Sequence, residues 1–396
     1  MKIKKILLFT PITIFTLVSC NLNFELSLPF NDTSEASSFR SEISGESSHK
    51  SEDIIIEEND ELSIHFLELG NKYSGDSVYI KANDYDILID AGSRQNSAST
   101  LKNYINQHCE DGKLEYVIAT HAHQDHIAAF VGKSDDPGIF KSYEIDTLID
   151  FPKTNTTSQI YKSYCEYRQD LIDEGTSHYT ALECYNNLNG ASRSIELGKN
   201  TTLNILYQKY YEEKASSEND YSVCVLLSHY SNHYLFTGDL EKKGEESLVE
   251  SNVLPQVKVF KGGHHGSGTS NTDKLLDVIK PENVCICTCA GTPEYSKINE
   301  NQFPYQETIN RFAKHTENIY VTSQIDLEKS TSETYYTKSM NGNIVVYDSK
   351  KIFKIECSNN NTILKETEWF KKYRTWPETK TTLAWVVFNL ERYFFL

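Results

Sequence analysis

The sequence predicts an α/β fold, and two patterns predict it. Short runs that alternate or stay apolar, as strands do, recur from Ser63 to Ile355. Stretches with apolar residues at helical spacing lie between them. One such run, Tyr116-Val117-Ile118-Ala119, opens directly into His121, His123, Asp125 and His126, four potential metal ligands within six residues. Imidazole nitrogen and carboxylate oxygen are the ligand types of zinc and similar divalent cations. A loop at a strand end can point His121 and His123 at one cation, and Asp125 with His126 at a second.

This H-x-H-x-D-H loop, within Leu114–Ala129, resembles the signature loop of the metallo-β-lactamase superfamily. Leu62–Gly92, FTGDLEKKGEESL (Phe236–Leu248) and KGGHHGSGTS (Lys261–Ser270) resemble, in order, motifs of the ComEC-type metallo-β-lactamase-like domain of DNA-uptake competence proteins. The resemblance runs from about Leu62 to about Lys354. It implies a four-layer αββα sandwich, with two mixed sheets face to face, helices outside, and loops at one edge holding two divalent metal ions. Zinc is the expected metal and manganese the alternative.

The elements follow in order. Ser63–Leu69 alternates as a half-buried strand, with His65 in a structural position, and Val78–Ala82 and Ile87–Asp90 continue the sheet. The resemblance gives Asp90 the task of bracing the metal loop through hydrogen bonds. Leu101, Tyr104, Ile105 and His108 have helical spacing, and Ile145–Phe151 is a further strand. Lys153–Asn189 reads as helical; its His178 is expected to be solvated rather than a ligand. Val223–Leu227 and Tyr234–Thr237 form a hairpin that ends in Gly238-Asp239, and Asp239 is the expected bridging ligand. Val257–Phe260 is a strand running into Gly262-Gly263-His264-His265-Gly266. The resemblance places one of these histidines on the second metal. His265 is preferred, leaving His264 to face the substrate as an acid or a phosphate contact; the swapped assignment is the alternative. The helix predicted over Asp273–Lys280 has an N-terminus that favours an anion. Cys285, Cys287 and Cys289 alternate and read as buried thiols on one strand face.

Two departures from the family pattern stand out. Leu206-Tyr207-Gln208 occupies the place of a third histidine for the first metal, which leaves that site with His121, His123 and Asp239. Gln302-Phe303-Pro304-Tyr305 stands where a His-Pro element is usual, and Tyr305 is a candidate hydroxyl there.

The flanks carry a different message. Lys2, Lys4 and Lys5 precede an apolar run, Ile6–Val18, too short to span a bilayer comfortably. Leu17-Val18-Ser19-Cys20 resembles a bacterial lipobox, so residues 1–19 are expected to be a lipoprotein signal peptide and Cys20 the lipidated N-terminus; an ordinary secretory leader is the alternative. Residues 20–61 form a Ser- and Glu-rich tether, residues 62–356 the hydrolase domain and residues 357–396 a C-terminal appendage that ends in an apolar, aromatic stretch, Leu383–Leu396. The expected location is the outer face of the bacterial cytoplasmic membrane.

The formal net charge is −17. The leader adds three positive charges and the segment Asn21–Glu61 has eleven acidic against two basic residues, so Leu62–Leu396 keeps a formal charge of about −11. No basic cluster offers a duplex footprint. The expected function is metal-dependent hydrolysis of an extracellular phosphodiester by a metal-bound hydroxide, with Asp125 and His264 in catalytic roles and single-stranded nucleic acid among the candidate substrates. The alternatives are a lactone or β-lactam hydrolase on the same site and a non-catalytic metal-binding surface lipoprotein.

Overall fold

The computed structural model describes residues 60–378 except 332. These lie within the compact unit Glu57–Leu396. The leader, Cys20, the tether up to residue 59 and the stretch 383–396 lie outside the described residues.

The chain builds one sheet, then a second, then returns to the first. The opening part is β1 (Glu61–Phe66), β2 (Val78–Ala82), β3 (Tyr85–Ile89), α1 (Ser97–Ile105), β4 (Lys113–Ile118), α2 (Gln124–Val131), β5 (Glu144–Asp150), α3 (Gln159–Glu174), β6 (Ser177–Thr180) and α4 (Ala181–Asn186). The second part is β7 (Ser194–Glu196), β8 (Thr201–Leu206), β9 (Cys224–His229), β10 (Asn232–Phe236), α5 (Lys242–Ser251), β11 (Val259–Lys261), α6 (Asp273–Ile279), β12 (Asn283–Ala290), α7 (Gln306–Phe312), β13 (Ile319–Ile325) and β14 (Thr337–Ser339). Strands β15 (Ile344–Ser349) and β16 (Phe353–Cys357) then extend the first sheet beyond β1, and α8 (Glu368–Tyr373) follows.

Both sheets are mixed. In the first, β1 to β3 pair antiparallel and β3 to β6 parallel. In the second, β7 to β10 pair antiparallel and β10 to β13 parallel. Parallel strands lie between other layers, and their composition follows. Every residue of β12, NVCICTCA, is buried. Its alternation sends Cys285 and Cys287 into the core between the sheets, and Val284 and Ile286 into a second core under the outer helices. Phe66 of one sheet stacks on Phe236 of the other at 6.2 Å. Leu101, Ile127, Phe130 and Tyr164 cover the outside of the first sheet; Leu248, Leu275, Ile309 and Phe312 cover the second. The expected four-layer αββα sandwich is the architecture found.

Three local readings change. The stretch 153–189 is not wholly helical: β6 interrupts it, pairs parallel with β5 and places His178 opposite Leu148. Its polar four-residue sequence, SHYT, has no apolar alternation to announce a strand. Just ahead of α6 the group at its N-terminus is one of the chain's own, the buried Glu245 carboxylate, which accepts from the backbone N–H groups of Asn271 (2.6 Å) and the capping Thr272 (2.8 Å). Within the expected appendage, Leu364, Trp369 and Phe370 are buried in the second core. No helix among the described residues is long and apolar enough to cross a membrane.

Candidate metal centre

The parallel register brings the ends of β3, β4 and β5 to one edge, with Ile89 opposite Ile118 and Ile118 opposite Ile149. Asp90 and the histidine loop therefore emerge side by side. Helix α2 starts inside that loop, so Asp125 and His126 occupy its first turn. This turn packs tightly on the chain after β3: Ala91 N–H donates to the His126 carbonyl at 2.7 Å, and Asp76 N–H to that of Asp125 at 3.0 Å. A Cβ on Gly92 would meet the Asp125 carbonyl oxygen at 1.6 Å, so no other residue fits there.

From the second sheet, β10 runs into Thr237-Gly238-Asp239 and β11 into the His264-His265 loop. Both histidines take left-handed backbone, φ 48° and 54°, a conformation that costs about 1–3 kcal/mol at a non-glycine residue. Asn271 holds the loop by accepting from Gly263 N–H (2.7 Å) and donating to the Gly263 carbonyl (2.8 Å).

The ligand atoms of Asp125, His126, Asp239 and His265 lie within 4.8 Å of one another. Asp239 Oδ2 is the hub, 3.1 Å from His126 Nε2 and 3.3 Å from His265 Nε2. Asp125 Oδ2 is 3.5 Å from His265 Nε2, and Asp125 is 13% exposed. Each histidine's other nitrogen is engaged elsewhere. His126 Nδ1 lies 2.7 Å from Asp90 Oδ2 and His265 Nδ1 lies 2.9 Å from the Cys287 carbonyl oxygen, so both donate outward and aim Nε2 inward. His126 Nε2, His265 Nε2 and Asp239 Oδ1 are buried without a hydrogen-bond partner. Buried, unsatisfied nitrogen and carboxylate donors converging on one point fit a divalent cation.

His121 and His123 stand beside this group. His121 Nε2 and His123 Nδ1 are 3.0 Å apart, and the His121 ring lies 4.1 Å from that of His126. Ser222 Oγ lies 3.4 Å from His121 Nδ1 and accepts from Asp239 N–H at 3.0 Å, tying the pair to the hub. Gln208, at the place of the missing third histidine, turns away: its amide donates to the Asp220 carbonyl at 2.8 Å. His264 sits at the mouth, 17% exposed, with Nε2 3.8 Å from Asp239 Oδ2 and Nδ1 3.1 Å from Thr269 Oγ1. The structure thus brings all seven expected residues to one edge. Four form the tight cluster, two pair beside it and His264 stands outermost.

Burial and the neighbouring carboxylates set the charges of this edge. Burial disfavours the charged forms of His126 and His265, but Asp239, with Asp90 or Asp76, outweighs it and holds both pKa values well above the usual histidine range. A cation held by these residues would compete with those protons. His121 differs: burial, then the neighbouring His126 and His123, push its pKa well below the usual range and keep it neutral.

Sequence reasoning missed several neighbours. Lys261, buried, ion-pairs with Asp76 and donates to the Gly238 carbonyl at 3.1 Å; its Nζ is 3.8 Å from Asp239 Oδ1. Asp76 in turn lies 3.2 Å from His265 Nδ1. Lys261 sits in the motif KGGHHGSGTS, so its place was visible, but an ammonium is no metal ligand and drew no reading. Glu218 accepts from Ala122 N–H (3.3 Å) and Thr154 Oγ1 (2.7 Å), tying down the histidine loop. A tyrosine hydroxyl that drew no reading reaches the cluster, that of Tyr295, which donates to Asp125 Oδ2 at 2.7 Å; the Tyr305 ring packs on Phe303 at 5.6 Å. His65 bonds to Ser63 and Tyr104 and takes no part, and His178 bonds to the buried Asp150.

Parts of the chain resemble known proteins. Residues 70–132 match the family described as the metallo-beta-lactamase superfamily. Recombination protein 2 of Haemophilus influenzae is 26% identical over 256 residues, 63% of this chain and 27% of that protein. ComE operon protein 3 of Bacillus subtilis is 31% identical over 111 residues, 28% of this chain and 13% of that protein. Competence protein ComA of Neisseria gonorrhoeae is 51% identical over 51 residues, 12% of this chain and 7% of that protein. The chain thus matches less than a third of each relative's length. Residues 70–132 thus match the metallo-β-lactamase superfamily, and the described residues have its sandwich fold. The similarity to these competence proteins agrees with the ComEC-type resemblance of its motifs.

Proposed function

We propose that this chain is a metal-dependent phosphodiesterase or nuclease. The observation that carries the reading is the convergence of Asp125, His126, Asp239 and His265 within 4.8 Å, beside the paired His121 and His123. The first set would hold one divalent cation. His121, His123 and Asp239 would hold a second with fewer protein ligands. The donors are nitrogen and oxygen only, which suits zinc or manganese. Cations bound there supply Lewis acidity and neutralise charge building on a phosphoryl oxygen.

The chain's own groups do the rest. Asp90 and the Cys287 carbonyl fix the imidazole orientations, so the donor set is preorganised. Lys261 adds a fixed positive charge behind Asp76 and Asp239. Burial lowers the pKa of His264, so at neutral pH it meets a phosphoryl oxygen as a neutral N–H donor. The net charge of −17 and the absence of a basic cluster in the sequence favour single strands, ends and small phosphodiesters, choline-phosphate esters included, over a duplex footprint. The leader and Cys20 support export and lipid anchoring at the outer face of the cytoplasmic membrane; Cys20→Ala releases the protein or leaves the leader uncleaved on this reading.

The test is the metal-loaded protein against single-stranded nucleic acid, small phosphodiesters, lactones and β-lactams. Turnover of a phosphodiester that stops with a chelator is the expected result. Lactone or β-lactam hydrolysis with no phosphodiester turnover overturns it.

A further inference from the structure

The segment between β12 and α7, residues 291–305, carries Tyr295, to which no motif assigns a role. Its side chain is divided between two environments. As a whole Tyr295 is 50% exposed, yet its hydroxyl reaches inward and donates to Asp125 Oδ2 at 2.7 Å. That oxygen is also the one 3.5 Å from His265 Nε2, so the hydroxyl grips the face of the carboxylate that looks into the cluster. A carboxylate oxygen has two lone pairs. The hydroxyl takes one and leaves the other directed at the ligand atoms.

The tyrosine is firmly held. Next to it, Glu294 ion-pairs with Arg94 and accepts from Ser74 N–H at 3.0 Å, and the Arg94 guanidinium lies 4.1 Å from the Tyr73 ring centroid. Thr292 Oγ1 donates to the Lys72 carbonyl at 3.1 Å, and Gly291 N–H to the Phe303 carbonyl at 2.9 Å. The segment is therefore tied to residues 72–74, just before Asp76. The Tyr295 ring packs on Phe303 at 5.1 Å, and Phe303 backs His264 at 5.8 Å and His265 at 5.9 Å. Phe303 is the residue standing where the family resemblance leads one to expect a histidine.

We propose that Tyr295 is a positioning residue of the metal centre: its hydroxyl locks the Asp125 carboxylate as a cation ligand while its ring closes the mouth against Phe303. This rests on the metal-dependent reading above. Partners that orient a ligand in this way are worth about 10–100-fold in metal affinity or activity.

The experiment uses the full chain and Tyr295→Phe and Tyr295→Leu variants. Affinity for Zn(II) and Mn(II) is measured by competition with a chromophoric chelator. The absorption spectrum of the Co(II)-loaded protein is recorded, and the Tm of the metal-free protein controls for folding. The expected result is a loss of about 10–100-fold in affinity at one site in both variants, with a changed Co(II) spectrum and a Tm equal to that of the parent. Tyr295→Phe with parental affinity and spectrum overturns the proposal, and so does a loss confined to Tyr295→Leu, which assigns the effect to the ring. A parent chain that takes up no divalent cation overturns the metal-centre reading itself, an outcome distinct from parental binding by the Phe variant.

Discussion

The two sheets present the same device at the same edge and use it differently. In the first, the last antiparallel strand, β3, runs into Asp90, and the next strand, β4, runs into the His121–His126 loop. In the second, the last antiparallel strand, β10, runs into Asp239, and the next strand, β11, into His264-His265. The difference lies in which residue takes the left-handed turn. Asp90 does so itself, at φ 60°, and its carboxylate points back to accept from Thr120 N–H and Oγ1, both at 2.7 Å, and to hold His126. In the second sheet Gly238 makes the turn, at φ 53°, and the carboxylate comes one residue later, facing the cluster. A shift of one position between turn and carboxylate separates a brace from a candidate ligand.

This contrast predicts an order of effects. Removing a ligand costs most: Asp239→Ala and Asp125→Ala abolish turnover and tight metal binding at the four-residue cluster, as read by metal analysis and by assay. His264→Ala lowers turnover while metal content stays near the parent's, because His264 stands outside the cluster. Asp90→Asn weakens metal affinity by about 10–100-fold and leaves the site in place. Equal losses in Asp90→Asn and Asp239→Ala would dissolve the distinction between brace and ligand. Gly238→Ala should cost about 1–3 kcal/mol in urea unfolding, since a Cβ there lies 2.8 Å from Ser222 Oγ and 2.9 Å from Thr120 Oγ1.

The smallest effect concerns Glu245, whose carboxylate holds the Asn271–Thr272 backbone and through it the His264-His265 loop. Burial pushes its pKa up from 4.5 to about 7. A carboxyl with a raised folded pKa binds its proton more tightly folded than unfolded, so its contribution is present below 4.5 and is lost as pH rises through about 7. Relative to Glu245→Gln, the parent chain should lose stability between about pH 5 and about pH 8, measured as the difference in urea midpoints. A constant difference across that range means the carboxyl ionises as it would in water.

The site was legible in the sequence to the extent that its residues are close along the chain or sit in motifs. His121, His123, Asp125 and His126 fall within six positions, and a strand end followed by a helix start projects such neighbours to one edge. Asp239 and His265 came through motif resemblance. Strand β6 was hidden because four polar residues show no period, and the order of the two histidines was open because both lie in one loop. The left-handed φ of both and the Cys287 carbonyl beneath His265 send one ring into the cluster and the other to the mouth.

What the sequence determined by itself is the chemistry of the donors and the α/β alternation, since residue type and short-range spacing are local properties. What only the tertiary structure decided is what surrounds those donors. Tyr295 reaches Asp125 across 170 positions and Glu294 reaches Ser74 across 220. Lys261 on one sheet meets Asp76 from the loop of the other. Such contacts depend on how two sheets stack, and burial then sets their strength, because a charge or hydroxyl removed from water must find its partner across the interface.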